Sequence, residues 1–420
     1  EPKVKTNEWF WLECHKPQAT NNLKIKFYKY NEIPEFSKPN KDTALYYLYR
    51  GQKVAKGNSR AGSTKSDNPY KFEISLRSDD DKTLKKVRKA MNKTSMLSYL
   101  LYEDGKIRID QQKKSKYGKY YPSHSIGKSL VSIVTGYAAC EGYIDFKSLD
   151  TRIDYWPTIE NTLYENQKLL NLLNMTAGDD FYVGERYFES DSRMEGKGES
   201  VNATPIKKIM KKYFQGSTRS ADTESGSWNT STGELQGSVY NYSAMTTNVI
   251  INYVIFKTGD EYNKLLHKIF NEDAKIKNNV YFGKTIQKSK GKPNKKKGEY
   301  GRYTFFADRY DYLRIGKMVM DHWNNNTCVG KYLKTIYDNR IDKDRNNYNK
   351  QSFSQFSKSY GGQFHFDLTG LENKKILGMD GFGGQQLIID FDRKRIIHVS
   401  STDRHYDWYG IVYKQLQNEN

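Results

Sequence analysis

Ser123-His-Ser-Ile-Gly-Lys-Ser-Leu-Val-Ser132 lies within the segment YPSHSIGKSLVSIVTGYAACEGYID, and its reading decides how the rest of the chain is understood. Ile126, Leu130, Ile133, Val134 and Tyr137 recur at helical spacing, which predicts a helix from about Ser125 to Cys140. Gly142 stands just past its end, where a C-terminal cap belongs. Ser125 and Lys128 are three residues apart and share one helix face, so Ser Oγ and Lys Nζ can meet. A serine at a helix N-terminus also lies in the positive end of the helix dipole, which favours a developing anion. The plainer alternative is that Ser125 caps the helix and Lys128 is solvated. The same Ser-x-x-Lys spacing recurs at Ser289 and Lys292, in a basic stretch with no apolar helix behind it, so spacing alone decides nothing.

Working outward, the 420 residues suit two or three domains or one large two-part fold. With 36% hydrophobic and 14% aromatic residues the chain can bury a sizeable core, and no apolar run is long enough to span a membrane. The formal charge of +20 raises the question of a nucleic-acid or anionic-surface partner. Lys, Asn and Tyr are abundant everywhere, however, so the excess reads as a compositional bias, and no nucleic-acid partner is expected. Cys14, Cys140 and Cys328 are far apart and do not form a metal pattern; one disulfide or three reduced thiols both fit. The chain starts at Glu1 rather than Met, and a periplasmic or exported protein with its signal peptide removed is expected.

Residues 1–90 read as an N-terminal extension of uncertain fold. WFWLEC and ALYYLYRGQKVA are candidate strands, and DDKTLKKVRKAM is a helix with acidic residues first and basic ones later. SMLSYLLYEDGKIRIDQQ reads as a hairpin turning at Asp104-Gly105. Further helices are expected at 166–175, 205–214, 243–257 and 308–322. Residues 178–238 are polar and rich in Gly and Ser, a long loop region, and 287–300 form a basic surface loop. The end of the chain, from GGQFHFDL through KRIIHVSSTD, returns to strands. Strands, a helix-rich middle and strands again predict an α+β fold: an antiparallel sheet built from both chain ends (about 91–125 and 355–420), flanked by helices, with a mostly helical subdomain (about 126–354) inserted.

Three more stretches bear on Ser125: LLNLLNMTAGDD at 169–180, GSVYNYSAMTTNVIINYVIFKTG at 237–259, and GMDGFGGQQLIIDFDRKRIIHVSS at 378–401. With the Ser125 helix they resemble, in order and spacing, the serine β-lactamase and penicillin-binding-protein superfamily, most of all its esterase and 6-aminohexanoate-dimer-hydrolase-like members. The resemblance covers about 95–410. It implies that Ser125 is the acylated nucleophile, Lys128 its partner base, and Tyr242 the tyrosine that exchanges protons with nucleophile and leaving group. It also implies that Asp380, Gly381, Phe382 and Gly383 belong to the substrate-binding edge strand, with the N–H groups of Ser125 and Phe382 as an oxyanion hole. These roles make chemical sense. A serine hydroxyl is a poor nucleophile until a neighbour removes its proton, and a neutral lysine, or a tyrosine acidified by a charged one, can do so.

The chain departs from the penicillin-recognising pattern. Met379-Asp380-Gly381 stands where Lys-Thr-Gly is usual, and Tyr242-Ser243-Ala244 lacks the Asn of the β-lactamase form. Lys257-Thr258-Gly259 imitates the third motif, but it follows Tyr242 too closely and ends a helix. These departures argue for a neutral or cationic ester or amide as substrate rather than a penicillin. Asp179, Asp180, Tyr182, Glu185, Arg186, Tyr187 and Trp228 would line the pocket rim. No metal or organic cofactor is expected; His-Glu-x-x-His and Gly-x-Ser-x-Gly are both absent. The expectation is thus a serine hydrolase working through an acyl-enzyme. The rival is a binding module of the same fold that recognises a cell-envelope polymer with little or no turnover, for which the positive charge would suit an anionic wall.

Overall fold

A computed structural model of the chain describes residues 10–14, 25–29, 60–113, 120–154, 156–178, 228–229, 234–235, 240, 242–284, 301–343, 350, 352–401 and 404–418. Its strands are β1 (Phe10–Cys14), β2 (Ile25–Lys29), β3 (Arg60–Ser63), β4 (Glu73–Ile74), β5 (Met96–Glu103), β6 (Lys106–Gln112), β7 (Tyr121–Pro122), β8 (Trp228–Asn229), β9 (Glu234–Leu235), β10 (Val280–Lys284), β11 (Gly301–Ala307), β12 (Ile341–Asp342), β13 (Ser357–Gly361), β14 (Phe364–Leu368), β15 (Ile376–Gly381), β16 (Gln385–Asp390) and β17 (Arg395–Ser401). The helices are α1 (Lys82–Lys93), α2 (Ile126–Cys140), α3 (Leu169–Leu173), α4 (Ala244–Thr258), α5 (Tyr262–His267), α6 (Arg309–Asn324), α7 (Cys328–Asp338), α8 (Phe353–Phe356) and α9 (Lys414–Gln417).

One sheet of nine strands dominates, in the order β12-β13-β14-β15-β16-β17-β5-β6-β4. All its pairings are antiparallel except β4 with β6. The two ends of the chain meet where β17 pairs with β5, Ile397 opposite Leu101. This is the expected α+β fold, with helices on both faces and the helix-rich middle inserted. β5 is buried along its whole length, and β15 to β17 likewise, because both sheet faces are covered. Leu377, Met379, Leu387 and Ile396 pack into one core with α2, α4 and α6. Ile376, Ile388, Ile397 and Val399 pack into the other, with α1 and the segment around Trp408. The β5–β6 hairpin turns at Asp104 and Gly105, both with positive φ (51° and 80°), the signature of a two-residue type I′ turn.

The structure also holds what the hydrophobic pattern did not show. A second sheet, β3-β10-β11-β7, stands beside α2. Since β3 pairs with β10, β4 with β6, and α1 packs on the main sheet, the folded unit begins no later than Arg60. Helices α5 and α7 were not expected, and the helix at 166–175 is the shorter α3. Residues 205–214, 287–300 and the stretch ALYYLYRGQKVA, for which a helix, a loop and a strand are expected, lie outside the described residues.

His398 shows how strictly this interior is specified. It is fully buried on β17, stacked 4.9 Å from the Tyr312 ring. Its Nδ1–H donates to the Gln386 carbonyl at 3.0 Å, which leaves Nε2 to accept from Ser400 Oγ at 3.1 Å. Burial, helped by the Arg309 charge, pushes its pKa down from 6.5 to about 3. The unfolded chain therefore binds this proton first as pH falls. The contribution to stability is complete above about pH 6.5 and is lost progressively toward pH 3. Between pH 7 and 4 the loss amounts to about 3 kcal/mol. Urea unfolding at the two pH values should show His398→Gln losing less stability than the native chain by about that amount; equal losses would refute the assignment.

Candidate active site

α2 is buried on all sides along residues 126–138, so it is a core helix and not a surface one. Its seat is shaped by glycine: a Cβ on Gly127 would lie 1.8 Å from the Tyr303 carbonyl oxygen of β11. Ahead of the helix, Ser123 N–H donates to the Phe305 carbonyl at 2.7 Å, and Ser123 Oγ accepts from Phe305 N–H at 2.7 Å. The turn bearing Ser125 is thereby stapled to β11. His124, at φ 46°, makes the sharp bend that brings Ser125 to the helix mouth.

Ser125 does not cap the helix with its side chain. Lys128 is not solvated either: it is 1% exposed and donates from Nζ to Ser125 Oγ at 3.0 Å. The plainer reading of the pair is thus excluded by geometry. The Lys128 ammonium lies 4.6 Å from the ring centre of Tyr242 and 4.1 Å from that of Tyr303. Tyr242 comes from the turn before α4, whose N-terminus is capped by Ser243 Oγ at 3.1 Å from Met245 N. The structure therefore gathers Ser125, Lys128 and Tyr242 and adds Tyr303.

Strand β15, expected as an edge strand, instead lies inside the main sheet between β14 and β16, and its C-terminal end closes the site. A Cβ on Gly381 would lie 2.6 Å from the Ser123 carbonyl oxygen, so β15 ends directly against the turn that precedes α2. The chain then reverses through Phe382 and Gly383. Gly384 N–H bonds the Gly381 carbonyl at 3.1 Å, and Gly383 at φ 79° occupies the position a type II turn reserves for glycine. The Phe382 ring is 52% exposed and sits edge-on to His124 at 5.8 Å. The backbone N–H groups of Ser125 and Phe382 bond to no described residue. Asp380 does not face this site. Its carboxylate, 4% exposed, accepts from Arg404 at 2.9 Å, from Gln386 at 3.1 Å and from Ser354. β15 alternates, so Asp380 points to the opposite sheet face from Met379, which is fully buried in the α2-side core. Asp380 is accordingly a structural anchor and not a pocket group.

Sequence reasoning missed Gln363. It sits at φ 68° between β13 and β14, 1% exposed. Its carbonyl accepts from Ser129 Oγ at 2.6 Å, and its Oε1 accepts from Thr247 Oγ1 at 2.6 Å. Its Nε2 donates to the carbonyls of Leu172 and Leu173 at 3.0 and 3.1 Å. One side chain and its own backbone thus join α2, α3 and α4, the three helices around the site. The stretch from Leu169 contributes here, and Asn174 Oδ1 also holds Gly362 N–H at 2.9 Å. Lys257, of the imitation third motif, lies at the end of α4 in an ion pair with Asp154. The expected rim residues Asp179, Asp180, Tyr182, Glu185, Arg186 and Tyr187, and the side chain of Trp228, lie outside the described residues. Among the described residues no group of three His, Cys, Asp or Glu side chains could hold a metal, and no helix is long and apolar enough to cross a membrane.

No family model matches the sequence, and no curated protein sequence matches it. Solved structures do share its architecture. One, described as a 6-aminohexanoate-dimer hydrolase from Bacillus anthracis, is 14% identical, with 90% of this chain and 94% of that one covered at a TM-score of 0.59. A structure described as a β-lactamase from Bacteroides dorei is 12% identical over 79% of this chain and 96% of its own, at 0.53. A D-stereospecific amidohydrolase from Streptomyces is 14% identical over 80% and 98%, at 0.52. The chain therefore shares the fold of these three proteins, the fold that the sequence resemblance implied.

Replacing Gln363 by Met keeps the volume but takes the acceptor from the buried Thr247 hydroxyl and one of the donors from each of the Leu172 and Leu173 carbonyls, which keep the N–H groups of Met175 and Gln363. Such buried groups cost about 1–3 kcal/mol each when unmet. Chemical denaturation of Gln363→Met should show a loss of roughly 2–4 kcal/mol; a loss within experimental error would deny the residue its bridging role.

Proposed function

We propose that the protein is a serine hydrolase that cleaves an ester or amide bond of a small neutral or cationic substrate through an acyl-enzyme intermediate. The observation that carries this reading is the 3.0 Å contact from the buried Lys128 amine to Ser125 Oγ. A lysine withdrawn from water and aimed at a serine at a helix mouth is an arrangement for moving the serine proton. Ser125 attacks the carbonyl, Lys128 and Tyr242 take and return the proton, and the N–H groups of Ser125 and Phe382 receive the oxyanion. Water then releases the acyl group. Donors of this kind are typically worth about 3–4 kcal/mol each. The descriptions of the similar structures, an amidohydrolase and a β-lactamase among them, support the reaction class.

The end of β15 supports a neutral or cationic substrate. Met379 offers no cation for a carboxylate, and Arg404 is matched by Asp380. The exposed Phe382 ring favours an apolar group beside the scissile bond. The Cys140–Cys328 disulfide supports an exported, oxidising location.

Intact-mass analysis after exposure to a fluorophosphonate should show a single adduct that is absent in Ser125→Ala. Lys128→Met should slow labelling by roughly a hundredfold or more, and Tyr242→Phe should slow turnover of short acyl esters by a similar factor. A folded native protein that takes no adduct would favour the binding-module reading instead. Rapid penicillin hydrolysis would overturn the proposed substrate class.

A further inference from the structure

A cavity of about 540 Å³ opens at the far end of α2 from Ser125, in the size range of small-molecule sites (roughly 300–1,000 Å³). Cys140, the last residue of α2, and Cys328, the first residue of α7, form a disulfide in its wall. Cys328 is exposed and Cys140 partly buried. Tyr143, Phe146 and Tyr332 supply aromatic surface, Lys147, Lys257 and Lys331 positive charge, and Asp145 and Asp154 negative charge. Lys257 is matched by Asp154, whereas Lys147 and Lys331 make no ion pair with a described residue. This site is separate from Ser125, and nothing about it depends on the hydrolase reading.

The two sulfurs are not equivalent. Cys328 opens a helix of 11 residues, whose N-terminal dipole stabilises a thiolate, and Lys331 lies one turn further on. Cys140 closes a helix of 15 residues at its negative end and is followed by Glu141. In thiol–disulfide exchange the better leaving thiolate departs and the other sulfur is attacked. Attack on Cys140 with departure of Cys328 is the favoured direction.

We propose that Cys140–Cys328 is a reversible thiolation site for a small thiol bearing carboxylates. The thiolate enters the cavity, with its carboxylates against Lys147 and Lys331, and bonds to the Cys140 sulfur. The Cys140–Cys328 bond breaks, and its electron pair leaves on Cys328 as a thiolate. One disulfide is exchanged for another, so no oxidant or reductant is consumed. Attack by Cys328 on the mixed disulfide restores the original bond and expels the thiol.

The test uses the full chain carrying Cys14→Ser, so that no other thiol interferes. The folded protein is treated with reduced glutathione or, separately, with cysteamine, then quenched with iodoacetamide and mapped by peptide mass. Glutathione should be found on Cys140 and the alkyl group on Cys328, in preference to the reverse by at least about fivefold. Per thiolate, glutathione should react faster than cysteamine, and that preference should fall at least about threefold in the Lys147→Glu, Lys331→Glu double variant. Circular dichroism checks that the variant is folded. Glutathione mainly on Cys328, exchange that begins only in urea, or a charge preference unmoved by the lysine replacements would each overturn the proposal.

Discussion

An amine that water does not reach, held 3.0 Å from a serine hydroxyl, is the constraint around which this fold is organised. A lysine is seldom buried unless something specific holds it. Here the hydroxyl of Ser125 and the faces of Tyr242 and Tyr303 receive it. Those four residues come from three separate parts of the chain, so the arrangement exists only if α2, α4 and β11 are locked together. The glycine at position 127 permits the close approach of α2 to β11, Ser123 staples the turn, and Gln363 ties α2 to α3 and α4. Each of these devices is costly to specify and has no other evident use at the helix mouth.

The two ends of α2 face different chemistry for the same reason. A helix end concentrates partial charge, positive at the N-terminus and negative at the C-terminus. Ser125 lies at the end that stabilises an oxyanion, and Cys140 at the end that disfavours a thiolate, across from the N-terminus of α7. One helix, buried from Ile126 to Ala138, therefore sets both the surroundings of Ser125 and those of a disulfide some four turns away.

Much of this was legible in the sequence where chemistry coincided with period. The α2 helix, the β5–β6 hairpin and the terminal strands all carried strong apolar repeats, and Ser125, Lys128 and Tyr242 were found because ordered motifs framed them. Tyr303 was not, since one tyrosine among 34 carries no signal of its own. Its strand β11 mixes aromatic and polar residues beside a basic stretch and shows no clean alternation. Gln363 was hidden for a different reason: its bonds run to Ser129, Thr247, Leu172 and Leu173, all more than a hundred residues away, and only the fold brings them within reach. The disulfide was equally open in the sequence, because three cysteines allow any pairing or none.

Asp380 shows where adjacency in sequence misleads. It stands next to Gly381, which abuts the turn before α2, and a linear reading places both in the pocket. In a strand, neighbours point to opposite faces. The alternation that sends Leu377 and Met379 into the α2-side core sends Asp380 toward Arg404, Gln386 and Ser354 on the other side. A slip of one residue in β15 would exchange these faces, burying a carboxylate among apolar side chains, and the full burial of the strand makes that slip prohibitive. What the end of β15 presents is then backbone N–H and the exposed Phe382 ring, with no side-chain charge from Met379 or Asp380.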